Sequence, residues 1–171
     1  IATITFVSFS FLLKPSEFIN ILIYIFTNSH YFNNSFKIMV DLLISGPEGK
    51  IEAKYTHNNN DQSPIALILH PDPSRGGTMN TKIVFKLYKL FVNNGFSAIR
   101  FNFRGVGKSE GVYDDGEGEL SDAASVLDWL QQYNTNSKIC WVAGFSFGSW
   151  VSMQLLMRRP EINGFVSISP P

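Results

Sequence analysis

The sequence is poor in two residue types that build many active sites. It has a single cysteine, Cys140, and three histidines, His30, His57 and His70. One thiol makes no disulfide within the chain and alone indicates no metal site. Because Cys140 lies in an apolar run, we expect a buried, inert side chain in a reducing, cytoplasmic setting. We expect neither a metal nor another cofactor.

Charge is also sparse. Only 16% of the residues are charged, and 14 basic residues balance 14 acidic ones. Because no basic patch or run of like charges is visible, the sequence argues against nucleic acid as a partner. Hydrophobic residues make up 44% of the chain, a fraction typical of globular proteins. The length suits one domain with its own core.

Residues 1–38 differ from the rest, being rich in Ile, Phe, Asn and Ser. Their apolar runs, 4–13 and 18–26, are each shorter than the roughly 18–20 residues that span a membrane. They also have no positive n-region and no clear cleavage site of a signal peptide. We favour a third interpretation, in which this stretch is a non-native, low-complexity extension translated from upstream sequence and the biological start is Met39. If the extension is genuine, a membrane-associated location is the alternative.

From Met39 onward, strand patterns alternate with helix patterns. Residues 39–44 and 50–55 flank a Gly-Pro-Glu-Gly turn and predict a β-hairpin. Apolar runs predict four further strands, which suit a sheet buried on both faces: 65–69, 96–103, 139–143 and 164–168. Helical spacing predicts three helices: about 80–92, 121–133 and 149–157. We therefore expect an α/β fold, a mostly parallel sheet with helices on both faces. His57 falls in a polar loop, where we expect it to be exposed.

The segment from Gly144 to Gly148 has the pattern G-x-S-x-G, with Ser146 at its centre. It joins the predicted strand 139–143 to the predicted helix that follows. Glycines let the backbone reverse tightly at such a turn, which exposes the serine hydroxyl beside the N–H group of the next residue. The pattern predicts a serine nucleophile. The alternative is a Gly/Ser-rich turn between two buried elements.

Two more motifs follow earlier predicted strands, namely His70-Pro71-Asp72-Pro73 and the R-G-x-G-x-S loop from Arg104 to Ser109. With the Ser146 turn, and in this order, they resemble the α/β-hydrolase superfamily. The stretch from His70 to Met79 is most similar to a group of small bacterial hydrolases. The resemblance covers residues 39–171 and not residues 1–38. It implies an α/β-hydrolase fold that is truncated after about the sixth strand.

The resemblance also implies a reaction, acyl transfer from a small-molecule ester, thioester or amide to Ser146. The oxyanion would bind the backbone N–H groups of Phe147 and Asp72, since Pro71 and Pro73 have none.

Four other residues receive supporting roles. His70 shapes its turn rather than acting as the base, Gly144 and Gly148 shape the turn around Ser146, and Arg104 supports the neighbouring loop. We expect Arg104 to pair with Asp122.

The loop that ends in Gly107-Lys108-Ser109 also resembles the end of a phosphate-binding P-loop. The full motif requires glycine at position 102, where this sequence has Asn102, and it requires a helix that starts at the Lys-Ser pair. Because Gly111 and Gly116 follow closely, we expect a glycine-shaped loop instead of a nucleotide site.

In the superfamily, an acid and then a histidine follow the nucleophile. No histidine follows Ser146 here. We therefore interpret the chain as the N-terminal part of a serine hydrolase that lacks the triad acid and histidine. The alternative is a non-catalytic fragment or interaction module that retains the scaffold. Strand 164–168 would then leave an unpaired apolar edge, through which we expect self-association.

Overall fold

A computed structural model describes residues 4–8 and 38–171, which form a seven-stranded sheet flanked by helices. The strands are β1 (Ile4–Ser8), β2 (Met39–Gly46), β3 (Gly49–Thr56), β4 (Ile65–Leu69), β5 (Ser97–Phe101), β6 (Cys140–Phe145) and β7 (Gly164–Ile168). The helices are α1 (Lys82–Asn93), α2 (Glu117–Tyr133) and α3 (Phe147–Leu156), and a 3₁₀ turn spans Pro73–Arg75. Across the sheet the order is β1-β7-β6-β4-β5-β3-β2.

The centre of the sheet is parallel. Strands β5, β4, β6 and β7 run side by side in the same direction. Every residue of β4, β5 and β7 is buried, as continuous apolar runs predict for strands that are covered on both faces. The β2–β3 hairpin joins β5 in antiparallel orientation. The predicted α/β fold is confirmed, with its parallel part at the centre.

Helices cover both faces of the sheet, as predicted. On one face, α2 and α3 pack on the larger core, which includes Leu67, Phe101, Leu127 and Leu155. On the other face, α1 packs its apolar stripe on a second core. The helix pattern in the sequence therefore corresponds to two layers of apolar packing, one on each side of the sheet.

The start of α2 differs from its predicted position. The helix begins at Glu117 rather than near residue 121. Glu119 is buried, and its carboxylate accepts hydrogen bonds from the N–H groups of Gly116, at 2.8 Å, and Asp114, at 3.1 Å. A carboxylate at this position satisfies N–H groups that have no partner within the helix, which stabilises the extra turn.

The edge of the sheet at β7 also differs from the prediction. We expected it to be unpaired, but β1 lies antiparallel to β7, with Ile4 opposite Ile168 and Ser8 opposite Gly164. The edge that was expected to drive self-association is therefore covered by a strand from the first 38 residues. Residues 9–37 lie outside the described part, and the interpretation of residues 1–38 as a non-native extension stays a prediction.

Candidate active site

Ser146 lies between β6 and α3 in a backbone conformation that residues other than glycine rarely adopt. Its φ is 53° and its ψ is −120°. Such a conformation costs of order 1–3 kcal/mol and persists only where neighbouring contacts hold it. Its N–H group donates to the carbonyl of Ile168 at 2.9 Å, and its carbonyl accepts from the N–H of Ser149 at 2.8 Å. The predicted strand–turn–helix is present, and Ser146 lies at its apex.

Both glycines of the motif lie against backbone. A methyl group on Gly148 would lie 2.7 Å from the carbonyl oxygen of Leu69 and closer still to that of His70. A methyl group on Gly144 would lie 2.5 Å from the nitrogen of Ser149. Real Cβ atoms do not approach backbone this closely, so only glycine fits at either position. The contact at Gly148 also brings the Ser146 turn next to the segment that follows β4.

His70 is completely buried at the end of β4. Its Nδ1 lies 2.6 Å from the carbonyl of Pro71, and its Nε2 accepts a hydrogen bond from the N–H of Phe103 at 3.0 Å. The ring is therefore neutral with its proton on Nδ1. Burial lowers the pKa of His70 to about 4. With both nitrogens engaged, His70 holds the turn and has no free nitrogen to accept the proton of Ser146.

The side chain of Asp72 is used within its own turn. Its carboxylate accepts from the N–H of Ser74 at 2.8 Å and from the hydroxyl of Ser74 at 2.7 Å. Its backbone N–H has no hydrogen-bond acceptor among the described residues. Phe147 is the first residue of α3, so its N–H has no carbonyl partner within the helix. The two N–H groups named as oxyanion donors are thus both left unpaired by the described chain.

Arg104 and Asp122 form the predicted ion pair, which is almost fully buried. Nη2 of Arg104 lies 2.8 Å from Oδ1 of Asp122, and Nε lies 3.0 Å from Oδ2. The N–H of Arg104 also donates to Oδ2, at 3.1 Å. The hydrogen bond with Asp122 raises the pKa of Arg104 above its ordinary value. This bidentate contact fastens the loop after β5 to helix α2.

The loop after β5 does not have the geometry of a P-loop. The next helix begins at Glu117, eight residues beyond Ser109. The N–H of Lys108 donates to the carboxylate of Glu52 at 2.9 Å, where a P-loop would present it to a phosphate. The hydroxyl of Ser109 donates to the carbonyl of Asn102 at 2.7 Å. These bonds support the predicted glycine-shaped loop.

Sequence reasoning missed an aromatic group beside Ser146. The ring of Phe147 lies 6.0 Å from that of Tyr113 and 5.8 Å from that of Trp150, measured between centroids. Burial raises the pKa of Tyr113, and the charge of the nearby Asp72 raises it further. Tyr113 therefore contacts Phe147, the residue that carries one of the unpaired N–H groups. No periodic pattern marks a loop tyrosine, so the sequence carried no signal for it.

Two other candidates lie away from this site. His57 was expected to be exposed, but it is only partly exposed, because Nδ1 lies 2.8 Å from the hydroxyl of Tyr55 and its ring packs on Tyr133. Cys140 is buried as predicted, and burial raises the pKa of its thiol to about 12, which makes it unreactive.

Two further features are absent from residues 4–8 and 38–171, a cluster of metal ligands and a helix that could span a membrane. No group of His, Cys, Asp or Glu side chains in the described ranges is arranged to hold a metal ion. Across those same ranges, no helix is both long enough and apolar enough to cross a bilayer.

Comparison with known proteins agrees with this geometry. The model of the X-Pro dipeptidyl-peptidase (S15) family matches residues 42–170. Uncharacterized protein RP471 of Rickettsia prowazekii is 53% identical over 133 residues, which are 78% of this chain and 56% of that protein. Lysophosphatidylserine lipase ABHD12 of Bos taurus is 30% identical over 67% of this chain and 27% of its own length.

Solved structures give the same result. ATU1826 of Agrobacterium tumefaciens, a proposed α/β-hydrolase, superposes with a TM-score of 0.75 at 56% identity, over 77% of this chain and 60% of that one. An α/β serine hydrolase homologue from Coxiella burnetii has a TM-score of 0.66 at 40% identity, over 77% and 61%. The chain thus spans about 60% of these two hydrolases, and the match covers the N-terminal part of their fold.

Proposed function

The chain belongs to the X-Pro dipeptidyl-peptidase (S15) family of α/β-hydrolases, and from this we propose that Ser146 is the nucleophile of acyl transfer from an ester, thioester or amide. The observation that carries the proposal is the backbone of Ser146, held at φ 53° between two glycines that admit no side chain. Strain of this kind at a strand-to-helix turn exposes a hydroxyl at the carboxyl end of the sheet.

In the proposed reaction, Oγ of Ser146 bonds to the carbonyl carbon of the substrate while a general base takes its proton. The carbonyl oxygen becomes negative and accepts hydrogen bonds from the N–H groups of Phe147 and Asp72. Two such donors stabilise the charge that develops in the transition state, a contribution typically worth about 3–4 kcal/mol for one donor. Their lack of other acceptors in the described chain supports this assignment. Collapse of the tetrahedral intermediate then breaks the bond to the alcohol, thiol or amine, which leaves with the proton that the base took from Ser146.

We propose an ester as the preferred substrate. ABHD12 is named as a lipase, and a structure at 27% identity with a TM-score of 0.63 is an esterase from Pyrococcus furiosus. The rings of Tyr113, Phe147 and Trp150 beside the serine give the acyl or alcohol group an apolar surface to bind. We also propose a cytoplasmic location, which the single buried thiol supports.

A second candidate is a non-catalytic scaffold, and a specific observation favours it. The proton of Ser146 needs a base. His70 cannot be this base, because both of its ring nitrogens are engaged. His57 is hydrogen-bonded to Tyr55 on β3, which pairs with the amino end of β5, so His57 lies away from Ser146. His30 lies outside the described residues.

A fluorophosphonate probe separates the two candidates, because it reacts with an activated serine irrespective of the natural substrate. We expect the 171-residue protein to be labelled and Ser146→Ala not to be labelled. Ser125→Ala, a substitution of a serine on α2, is the matched control and should label like the unmodified protein. A folded protein that takes no label would show that this chain is a scaffold without hydrolase activity.

A further inference from the structure

Two polar side chains at the end of β5 are buried against the segment that follows β4. Arg100 and Asn102 are 2% and 4% exposed. Nη1 of Arg100 donates to the carbonyl of Met79 at 2.6 Å, and the N–H of Met79 donates to Oδ1 of Asn102 at 2.9 Å. Both backbone polar groups of Met79 are therefore held by side chains at the carboxyl end of β5. Since Met79 is itself 1% exposed, water does not compete for these bonds.

The segment between residues 70 and 79 transmits this restraint to Asp72. The N–H of Gly77 donates to the carbonyl of Asp72 at 2.9 Å. A methyl group on Gly77 would lie 2.6 Å from that same carbonyl oxygen, so the two backbones touch. Gly77 is only two residues from Met79. At the other end of the segment, the N–H of Phe103 holds the ring of His70. Residues 100–103 thus fix both ends of the turn that contains Asp72.

Asn102 also joins this turn to the second loop beside the site. Its Nδ2 donates to Oε2 of Glu52 at 2.7 Å, and the same oxygen accepts from the N–H of Lys108 at 2.9 Å. One amide side chain therefore uses its acceptor toward Met79 and its donor toward Glu52. Neither an apolar residue nor a carboxylate of similar size satisfies both contacts.

The arrangement carries an energetic cost. Arg100 is buried with no carboxylate of the described residues in contact, and its guanidinium carbon lies 5.0 Å from the ring of Phe85 and 5.1 Å from that of Tyr88. Its Nε has no hydrogen-bond partner among residues 4–8 and 38–171. Burying a charge in this way reduces stability, and the ring contacts offset only part of the loss. Burial of Arg100 lowers the stability of the fold, but it fixes the position of the Met79 backbone.

We infer that Asn102, together with Arg100, is a positioning residue that holds the backbone N–H of Asp72 where it can bind the oxyanion. The inference rests on the proposed function of Ser146. Asn102 touches neither the serine nor the substrate and acts through Met79 and Gly77. An oxyanion donor is effective only when it is fixed before the reaction begins, which requires its supporting contacts to be rigid.

The test compares Asn102→Leu with Asn134→Leu in the 171-residue protein. Asn134 is the matched control, because it is also buried and also makes two side-chain hydrogen bonds, to Leu130 and Tyr55. We expect Asn102→Leu to lower the maximal rate of fluorophosphonate labelling about tenfold or more, since loss of one donor costs roughly 100- to 1,000-fold. The probe concentration for half-maximal rate should stay within about twofold. Asn134→Leu should change neither quantity.

A double variant provides the rescue. In Asn102→Asp combined with Glu52→Gln, the aspartate accepts from Met79 and the glutamine donates to the aspartate, which reverses one bond, while the N–H of Lys108 loses the oxygen that it shares with Asn102. We expect this variant to recover part of the labelling rate, because the contact with Met79 returns, whereas Asn102→Asp alone places two carboxylates together and should recover none. If Asn102→Leu labels as fast as Asn134→Leu, the positioning role is wrong while the role of Ser146 stands.

Failure of the proposed function leaves the inference testable. If the unmodified protein takes no label, amide hydrogen exchange of Gly77 gives the answer, because its N–H bonds to the carbonyl of Asp72 and needs no reactive serine. We expect Asn102→Leu to speed this exchange at least tenfold relative to Asn134→Leu. Equal exchange in the two variants would overturn the inference.

Discussion

The two ends of the sheet contain similar residues in very different arrangements. The carboxyl ends of β4 and β5 lead into His70, Asn102 and Arg104, and the amino ends of the sheet lie near His57, Asn134 and Arg159. At the carboxyl ends, His70 and Asn102 accept hydrogen bonds from the backbone N–H groups of Phe103 and Met79, and Arg104 is held by Asp122 through its own N–H group and its guanidinium. The three residues other than glycine with positive φ in the described chain, Asp115, Ser146 and Ser169, also occur at this end.

At the amino ends, the polar groups mainly complete aromatic packing. The hydroxyl of Tyr55 donates to Asn134 at 3.0 Å, and its ring packs edge-on against Trp129 and Tyr133. Trp129 and Tyr133 stack in parallel, with centroids 5.2 Å apart. Aromatic pairs of this kind stabilise a surface without forcing the backbone into an unusual conformation.

The difference shows that the strained backbone lies at the carboxyl ends of the strands, where side-chain hydrogen bonds support it. Ligands of open α/β sheets bind outside the carboxyl ends of the strands. Strained residues persist there only because surrounding contacts hold them. Substitutions at the carboxyl ends should therefore change both stability and the reactivity of Ser146, whereas matched substitutions at the amino ends should change stability alone.

The largest effect is expected for Arg104→Met. Removing one partner of a buried ion pair leaves the other charge without compensation, which typically costs about 3–5 kcal/mol. Asp122 is 1% exposed and would be that uncompensated charge. We expect urea unfolding to show a loss of this size, with fluorophosphonate labelling of the remaining folded protein also reduced.

Arg159→Met is the control at the amino ends. Arg159 pairs with Asp128 and Glu161 near the surface, and both carboxylates are substantially exposed. Exposed pairs contribute about 0–1 kcal/mol, so this variant should be nearly as stable as the unmodified protein.

Adding Asp122→Leu to Arg104→Met should recover part of the stability, because it removes the uncompensated charge. If Arg104→Met and Arg159→Met are equally stable, the buried pair does not have the role given to it here.

A smaller effect is expected for Gly148→Ala. The added methyl group would overlap with the carbonyl oxygens of Leu69 and His70, which belong to backbone and cannot rotate away. Overpacking of this kind costs about 1–3 kcal/mol, and we expect the upper end of that range together with loss of labelling.

Gly95→Ala at the amino ends is the control. Gly95 has φ 87°, and the atom nearest to an added methyl group would belong to Asn58, 3.7 Å away. It should lose only the roughly 1–2 kcal/mol of a left-handed conformation and keep its labelling. Labelling retained in Gly148→Ala would mean that the turn tolerates displacement.

Features that depend on local sequence could be predicted, and features that depend on contacts between distant segments could not. Apolar runs gave the strands β4 and β7 with their observed bounds. The turn around Ser146 was predictable because two glycines, a serine and the flanking apolar runs lie within a few residues. The ion pair of Arg104 with Asp122 was predictable from the α/β order, because one residue follows a strand and the other lies in the next helix.

The environment of Asn102 could not be predicted in this way. Its partners, Met79 and Glu52, lie 23 and 50 residues away. In the sequence it was noticed only as the residue that breaks the P-loop motif. The pairing of β1 with β7 was missed for a similar reason, since it joins the two ends of the chain. The position of His57 was missed because its loop is polar while its contacts, Tyr55 and Tyr133, come from β3 and α2.

The smallest of the three effects concerns His70 and depends on pH. Burial lowers the pKa of His70 to about 4 in the folded protein, whereas an unfolded chain has the ordinary value of about 6.5. The unfolded state therefore binds a proton first as the pH falls, and stability that is complete above about pH 6.5 decreases until about pH 4. At pH 5, protonation of His70 in the unfolded chain lowers the free energy of unfolding by on the order of 2 kcal/mol relative to neutral pH.

Urea unfolding of the unmodified protein and of His70→Gln, measured between pH 7 and pH 5, isolates this contribution. We expect His70→Gln to be less stable at pH 7, because its amide does not reproduce the contacts with Pro71 and Phe103, but to lose about 2 kcal/mol less between the two pH values. His57→Gln, at the amino ends, should keep the slope that His70 causes. If the stability of His70→Gln falls as steeply between pH 7 and pH 5 as that of the unmodified protein, burial does not hold the ring of His70 neutral. The contrast between His70 and His57 would then be wrong.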